Sequence, residues 1–183
     1  MKKLVARLLQ VLLLAALAAA TAQAEWHSIG KVTGSQAEGS RITFHTEHAV
    51  VQVSVLAPDI VRVRATQGSS FGPDDSWAVV KKDWPAIELE YARVPNLALI
   101  PTGKLSIHVQ LSPFRLSFFD AAGKLISKDS DDLGMAWNGH EVRCWKQMPE
   151  DEHYFGLGED AGPLDKRGQA LVMWNTDAYG WGA

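Results

Sequence analysis

The sequence predicts an all-β fold, and three observations carry that expectation. Between Arg41 and Thr66 apolar and polar side chains alternate with a period of two, as on strands with one buried face. From Trp77 to Lys146 short strand-like runs recur between prolines and glycines. After residue 24 no stretch keeps a 3.6-residue apolar stripe for about ten residues with caps, so helices should be few. Many short strands at nearly regular spacing mean a sandwich or a barrel, and periodicity alone does not choose between them.

At the N-terminus Lys2, Lys3 and Arg7 precede an apolar run from Leu8 to Ala20, broken only by Gln10. Ala22-Gln23-Ala24 then supplies the small-x-small pattern that signal peptidase requires, so residues 1–24 read as a cleaved secretory leader. The run is too short for a spanning helix, and no cysteine follows it to carry a lipid. The expected mature protein is a single domain, residues 25–183, in the periplasm or the medium, with no membrane attachment once the leader is gone. Losing three cations carries the formal net charge from −3 to −6, which argues against nucleic acid or an anionic membrane as partner.

Three strands are expected first: Ile42, Phe44 and Thr46; Val51, Val53 and Val55; then Ile60, Val61 and Val63, with Arg62 and Arg64 on the opposite face. Pro58-Asp59 turns the chain between the last two, and Gly68 to Asp75 forms a loop. Further strands are expected at Trp77 to Val80, Ile87 to Tyr91, Asn96 to Ile100, Leu105 to Leu111, Phe114 to Phe119 and Glu141 to Lys146. Cys144 is the only cysteine, so no intramolecular disulfide forms, and between Val142 and Trp145 it reads as a packed thiol.

Three apparent motifs fail on chemistry. On a strand His45 and His48 project to opposite faces, so His45-Thr46-Glu47-His48 reads as polar residues at a turn rather than a metal site. Asp129 to Gly134 imitates the start of a calcium loop but puts Leu133 and His140 where oxygen ligands are required, leaving a solvated acidic loop. Gly156-x-Gly158 is followed by Gly162-Pro163 rather than a helix, which removes the dinucleotide reading. No cofactor or metal is expected.

The segment from His153 to Tyr179 is different in kind. Gly156 and Gly158 permit close turns, and Asp165, Lys166 and Arg167 can brace the loop through charge-assisted hydrogen bonds. Strand-like sequence resumes at Gln169 to Trp174 and presents Asn175, Thr176 and Asp177 at its end. Aromatic rings beside an amide and a carboxylate suit a sugar, whose C–H faces stack on rings and whose hydroxyls need donors and acceptors. The alternative is that Trp174 and Tyr179 are core and Asp177 caps a turn.

In these residues the chain resembles glycoside hydrolase family 31, the α-glucosidase family. Three blocks in series carry the resemblance: Gly156-Leu157-Gly158-Glu159, Gly162-Pro163-Leu164-Asp165-Lys166-Arg167-Gly168, and Met173-Trp174-Asn175-Thr176-Asp177. Weaker similarity extends back to about Arg41. The resemblance implies an antiparallel β-sandwich of galactose-mutarotase-like type, here incomplete because further strands follow the third block in the family. It also implies that Asp177 helps to hold the sugar at the mouth of a catalytic (β/α)8 barrel, with Asn175, Thr176 and Tyr179 as lesser contacts. The implied ligand is an α-linked glucoside or related oligosaccharide, and the implied partner is that barrel, normally in the same chain.

The family's reaction is retaining hydrolysis by two carboxyl groups about 5–5.5 Å apart. Both belong to the barrel, and the Trp-x-Asp-Met-Asn-Glu type of nucleophile motif does not occur in these 183 residues. Glu159 and Asp165 are therefore assigned to structure and no catalytic residue is expected. Two readings result: a piece of an exported α-glycosidase, or a secreted sandwich that binds sugar without hydrolysing it. A sugar mutarotase would need paired His and Glu residues, and no motif surrounds His108 or His153.

Overall fold

The computed structural model describes residues 25–76, 78–85, 87–158 and 162–173. The chain divides into two compact units, Met1–Gln147 and Met148–Ala183. Residues 1–24, the expected leader, and Glu159 lie outside the described residues.

The first unit is built from three antiparallel sheets, with no helix among the described residues. One is a four-stranded meander of β2 (Val32–Glu38), β3 (Arg41–Thr46), β4 (Val50–Ala57) and β5 (Ile60–Thr66), in that order. The second runs backwards through the chain: β10 (Leu125–Lys128), β9 (Phe114–Asp120), β8 (Leu105–Leu111), β7 (Leu97–Pro101) and β6 (Ala92–Val94). The third joins β1 (His27–Ser28), β11 (Met135–Asn138) and β12 (Glu141–Cys144).

Alternation decides which faces meet. Ile42, Phe44, Val51, Val53 and Val55 from one meander and Ala98, Ile100, Ile107, Val109 and Phe114 from the other form a single buried cluster. The Phe44 ring meets Phe114 edge-on at 5.8 Å and Tyr91 at 6.4 Å, a favoured aromatic geometry. Each such side chain contributes about 1.5–3 kcal/mol by leaving water. The opposite face of the four-stranded sheet is polar. Arg41, Ser54 and Arg62 stand in one register row, and Thr43, Gln52 and Arg64 in the next.

In the first unit most of the expected strands form, and two do not. Residues 78–80 and 87–91 pair with no strand among the described residues, although Ile87, Leu89 and Tyr91 still pack on the core. Alternation needs one buried face, whereas a strand also needs a neighbour for its N–H and C=O groups. In the second unit Gln169 to Met173 is likewise unpaired, with Val172 and Met173 exposed.

The His45-to-His48 turn is as expected. The single Thr46 hydroxyl proton has the backbone carbonyls of Ile29 and Ala49 as alternative acceptors, each 2.7 Å from Oγ1, which also accepts from Ala49 N–H, while Glu47 pairs with Lys31 at 3.1 Å. The acidic loop after β10 is less solvated than the sequence implies. Asp129 is buried, accepting Leu116 N–H at 2.8 Å and pairing with Lys146 at 2.5 Å. Beside it Arg115 is only 4% exposed and donates to the carbonyls of Phe114, Ser130, Asp131 and Asp132. Gly134 has φ +64°, and a Cβ there would come within 2.9 Å of Arg115 Cδ, so guanidinium and glycine are fitted to each other.

Candidate functional site

The described residues of the second unit, 148–158 and 162–173, form a strap folded around one carboxylate. Asp165 accepts from His153 Nδ1 at 2.6 Å, from Arg167 N–H at 3.0 Å and from Tyr154 N–H at 3.3 Å. The His153 hydrogen bond, ahead of the one from the Arg167 backbone, holds its pKa down to about 2. Arg167 reaches back to the carbonyls of Pro149, at 2.6 Å, and Glu152. Lys166 is buried and its N–H donates to Tyr154 O at 2.8 Å. Gly156, Leu157 and Gly158 all take positive φ, at 89°, 67° and 96°, which explains glycine on both sides of a residue already in a costly conformation.

This network does what the Asp-Lys-Arg sequence leads one to expect: it braces the loop. A carboxylate with this many donors is poorly suited to act as a general acid. His153 is committed to Asp165, and His108 lies against Phe119 at 4.3 Å with its pKa lowered by burial. Neither is bonded to a glutamate among the described residues, so the mutarotase pairing finds no support there. Asp177, Asn175, Thr176 and Tyr179, the expected sugar contacts, lie outside the described residues, as does Trp174.

Cys144 stands exposed on β12 rather than packed, and burial of its surroundings pushes the thiol pKa up, which keeps it from reacting as a thiolate. It lines an apolar cavity of about 220 Å³ together with Val63, Phe118 and Met135.

One concave site was not anticipated. The polar face of β3–β5, with Asp74, Ser76, Val79, Lys81, Lys82 and Trp84 from the chain that follows, lines a groove of about 830 Å³. Its lining includes Arg41, Arg62, Lys81, Lys82, Asp74 and Trp84. Asp74 pairs with Arg62 at 2.5 Å and with Arg64 at 3.5 Å, and the Arg62 hydrogen bond lowers its pKa. Arg64 also donates to Gly72 O at 2.9 Å, and the Lys81 ammonium lies 5.1 Å from the Trp84 ring centroid. The outward Arg62 and Arg64 were a visible signal; the loop that closes over them was not.

An all-β unit of facing antiparallel meanders, followed by a glycine-rich strap, defines a β-sandwich domain of the galactose-mutarotase-like kind. Residues 50–183 match the glycosyl hydrolase 31 N-terminal galactose mutarotase-like domain, and the chain belongs to that family. It is 31% identical over 138 residues to α-glucosidase 2 of Bacillus thermoamyloliquefaciens, covering 75% of this chain and 17% of that protein. Among solved structures it is similar to a family 31 dextranase of Flavobacterium johnsoniae complexed with isomaltotriose. There the TM-score is 0.75 and the identity 29%, over 84% of this chain and 20% of the dextranase. A cycloalternan-forming enzyme of Listeria monocytogenes, in complex with a pentasaccharide substrate, shares the fold at 20% identity and a TM-score of 0.63. That match covers 79% of this chain and 14% of the enzyme. The chain thus spans about a fifth or less of the length of these relatives.

Proposed function

We propose that this chain is the substrate-mouth domain of an exported, retaining α-glycosidase and acts together with a catalytic (β/α)8 barrel. The observation that carries the reading is the family match over residues 50–183, which takes in the whole run from Gly156 to Asp177. An α-glucosidase and an isomaltotriose-bound dextranase among the relatives support an α-linked glucoside as ligand. In this reading Asp177 accepts sugar hydroxyls, with Asn175, Thr176 and Tyr179 beside it, and the Asp165 network fixes the strap leading to them. The two reacting carboxyl groups come from the barrel, whose eight βα units take about 250 residues. Export follows from the Lys2 to Ala24 pattern, with Glu25 as the first mature residue.

The test is hydrolysis of an aryl α-glucoside. The 183-residue chain alone releases no phenol, whereas a longer protein joining this domain to its barrel does. Turnover by the 183-residue chain that survives repurification and disappears in Asp165→Asn would contradict both the division of labour and the structural role of Asp165.

A further inference from the structure

We propose that the groove over β3–β5 is a binding site for an acidic oligosaccharide, one whose sugar units carry carboxylates. Four cations among its described lining residues, Arg41, Arg62, Lys81 and Lys82, face a single lining carboxylate, Asp74, on a chain whose formal net charge is −3. With Arg64 beside Asp74, Asp75 paired to Lys82 and Glu38 facing Arg41 across β2 and β3, five cations stand against three carboxylates, and that smaller excess of positive charge is local to a concave site.

The site already accommodates a carboxylate. Asp74 pairs with Arg62 at 2.5 Å and more distantly with Arg64 of the neighbouring register row at 3.5 Å, one carboxylate oxygen to each, and so acts as an internal stand-in for the charged part of a ligand. Arg41 has no hydrogen bond or ion pair within the described residues that competes with a ligand; Asp74 acts on it only through its field. Arg41 and Arg62 stand two strands apart with Ser54 between them in register, so their backbones are separated by about 10 Å. An extended ligand lying across the strands meets a guanidinium at each end and a hydroxyl in the middle.

Neutral features select a saccharide over a bare anion. Trp84 lines the groove with a ring that the Lys81 ammonium covers on one side at 5.1 Å, Ser54 and Gln52 offer hydroxyl and amide groups, and the volume of about 830 Å³ is within the range of about 300–1,000 Å³ usual for small-molecule sites. Asp74 and the neighbouring Asp75, which pairs with Lys82, repel a dense polyanion such as nucleic acid. The groove uses none of residues 175–179, so the inference stands apart from the α-glycosidase reading.

Calorimetric titration of the full chain with α-1,4-linked trigalacturonate tests it, with maltotriose as the neutral control and sodium sulfate as the simple anion. Trigalacturonate should bind at least tenfold more tightly than either control, and Arg41→Gln should weaken it about tenfold. Trp84→Ala should weaken it several-fold with no change of charge. Asp74→Asn, by removing the internal competitor, should tighten it, a gain that misfolding cannot imitate. Asp177→Ala should leave it unaltered, which separates this site from the proposed sugar contact. Trigalacturonate binding no tighter than maltotriose, or sulfate matching it with Trp84→Ala neutral, would overturn the inference.

Discussion

Replacing Arg115 by methionine removes the guanidinium while keeping most of the apolar stem. Four backbone carbonyls lose their donor: Phe114 at 2.7 Å, Ser130 at 2.9 Å, Asp132 at 2.6 Å and Asp131 at 3.3 Å. A hydrogen bond to a charged group is worth about 1.5–3 kcal/mol. The four do not add, because Asp131 and Asp132 lie in an exposed stretch where their carbonyls can turn to water. The buried share, with Asp129 left near a missing cation, gives a loss of about 3–5 kcal/mol. For a domain of this size that lowers Tm by roughly 6–20 °C. Arg115→Lys should recover less than half of the loss, since an ammonium cannot fork to carbonyls on both sides. Urea unfolding followed by tryptophan fluorescence measures all three proteins. A methionine variant within about 1 kcal/mol of the parent would refute the assignment of Arg115 as the staple of the 129–134 loop, because lone surface contacts cost no more than that.

The remaining predictions concern the leader, the strap and the tight glycine. Exported protein should begin at Glu25 by N-terminal sequencing, and a retained Met1 would remove the leader. Asp165 has its pKa lowered from an ordinary 3.8 to about 2, so its bracing contribution is complete above pH 4 and is lost as the pH falls through 2. Limited proteolysis with pepsin between pH 4 and pH 2 should therefore show cleavage within residues 148–173 rising over that window, with Asp165→Asn cleaved at both ends of it. Gly134→Ala should destabilise by about 1–3 kcal/mol, since the new Cβ meets Arg115 Cδ at 2.9 Å and φ is +64°. Its effect should largely vanish in an Arg115→Met background, as a double-mutant cycle will show.

How much of this was legible in the sequence depends on what each element needs. β3, β4, β7 and β8 are visible because alternation buries one face of each, whereas β5 shows the alternation in sequence with its residues only partly buried, and β9 is visible as an apolar run although Phe114, Arg115 and Leu116 are buried in succession. β2, with Gly34, Ser35 and Gln36, is a polar edge strand, and edge strands need no apolar signal. β1, β10 and β11 have two to four residues, too few for a period to show. Ile87 to Tyr91 alternates well and yet pairs with nothing described, because packing on a core and joining a ladder are separate requirements. Arg115 could not be read as buried, since three of the four carbonyls that satisfy it belong to a loop fifteen to seventeen residues away. The bracing role of Asp165 and Arg167 was legible as a kind of residue, an acid and two cations among turn-forming glycines, but not in its partners: apart from Arg167 N–H, these lie eleven to eighteen residues away at His153, Tyr154, Pro149 and Glu152. The groove was only half legible: Arg62 and Arg64 were seen to face outward, but nothing local says that Asp74 and Trp84 return to them.

The central claim is that this domain contributes sugar contacts to an α-glycosidase through Asp177, and one variant tests it most directly. In the protein that carries this domain together with its barrel, Asp177→Ala should lower kcat/KM for a maltose-type substrate by about 1–3 kcal/mol of transition-state stabilisation, roughly 5- to 150-fold, with Tm nearly unchanged. Unaltered kinetics with a stability loss of about 0.5–2 kcal/mol would instead make Asp177 a turn cap and contradict the claim.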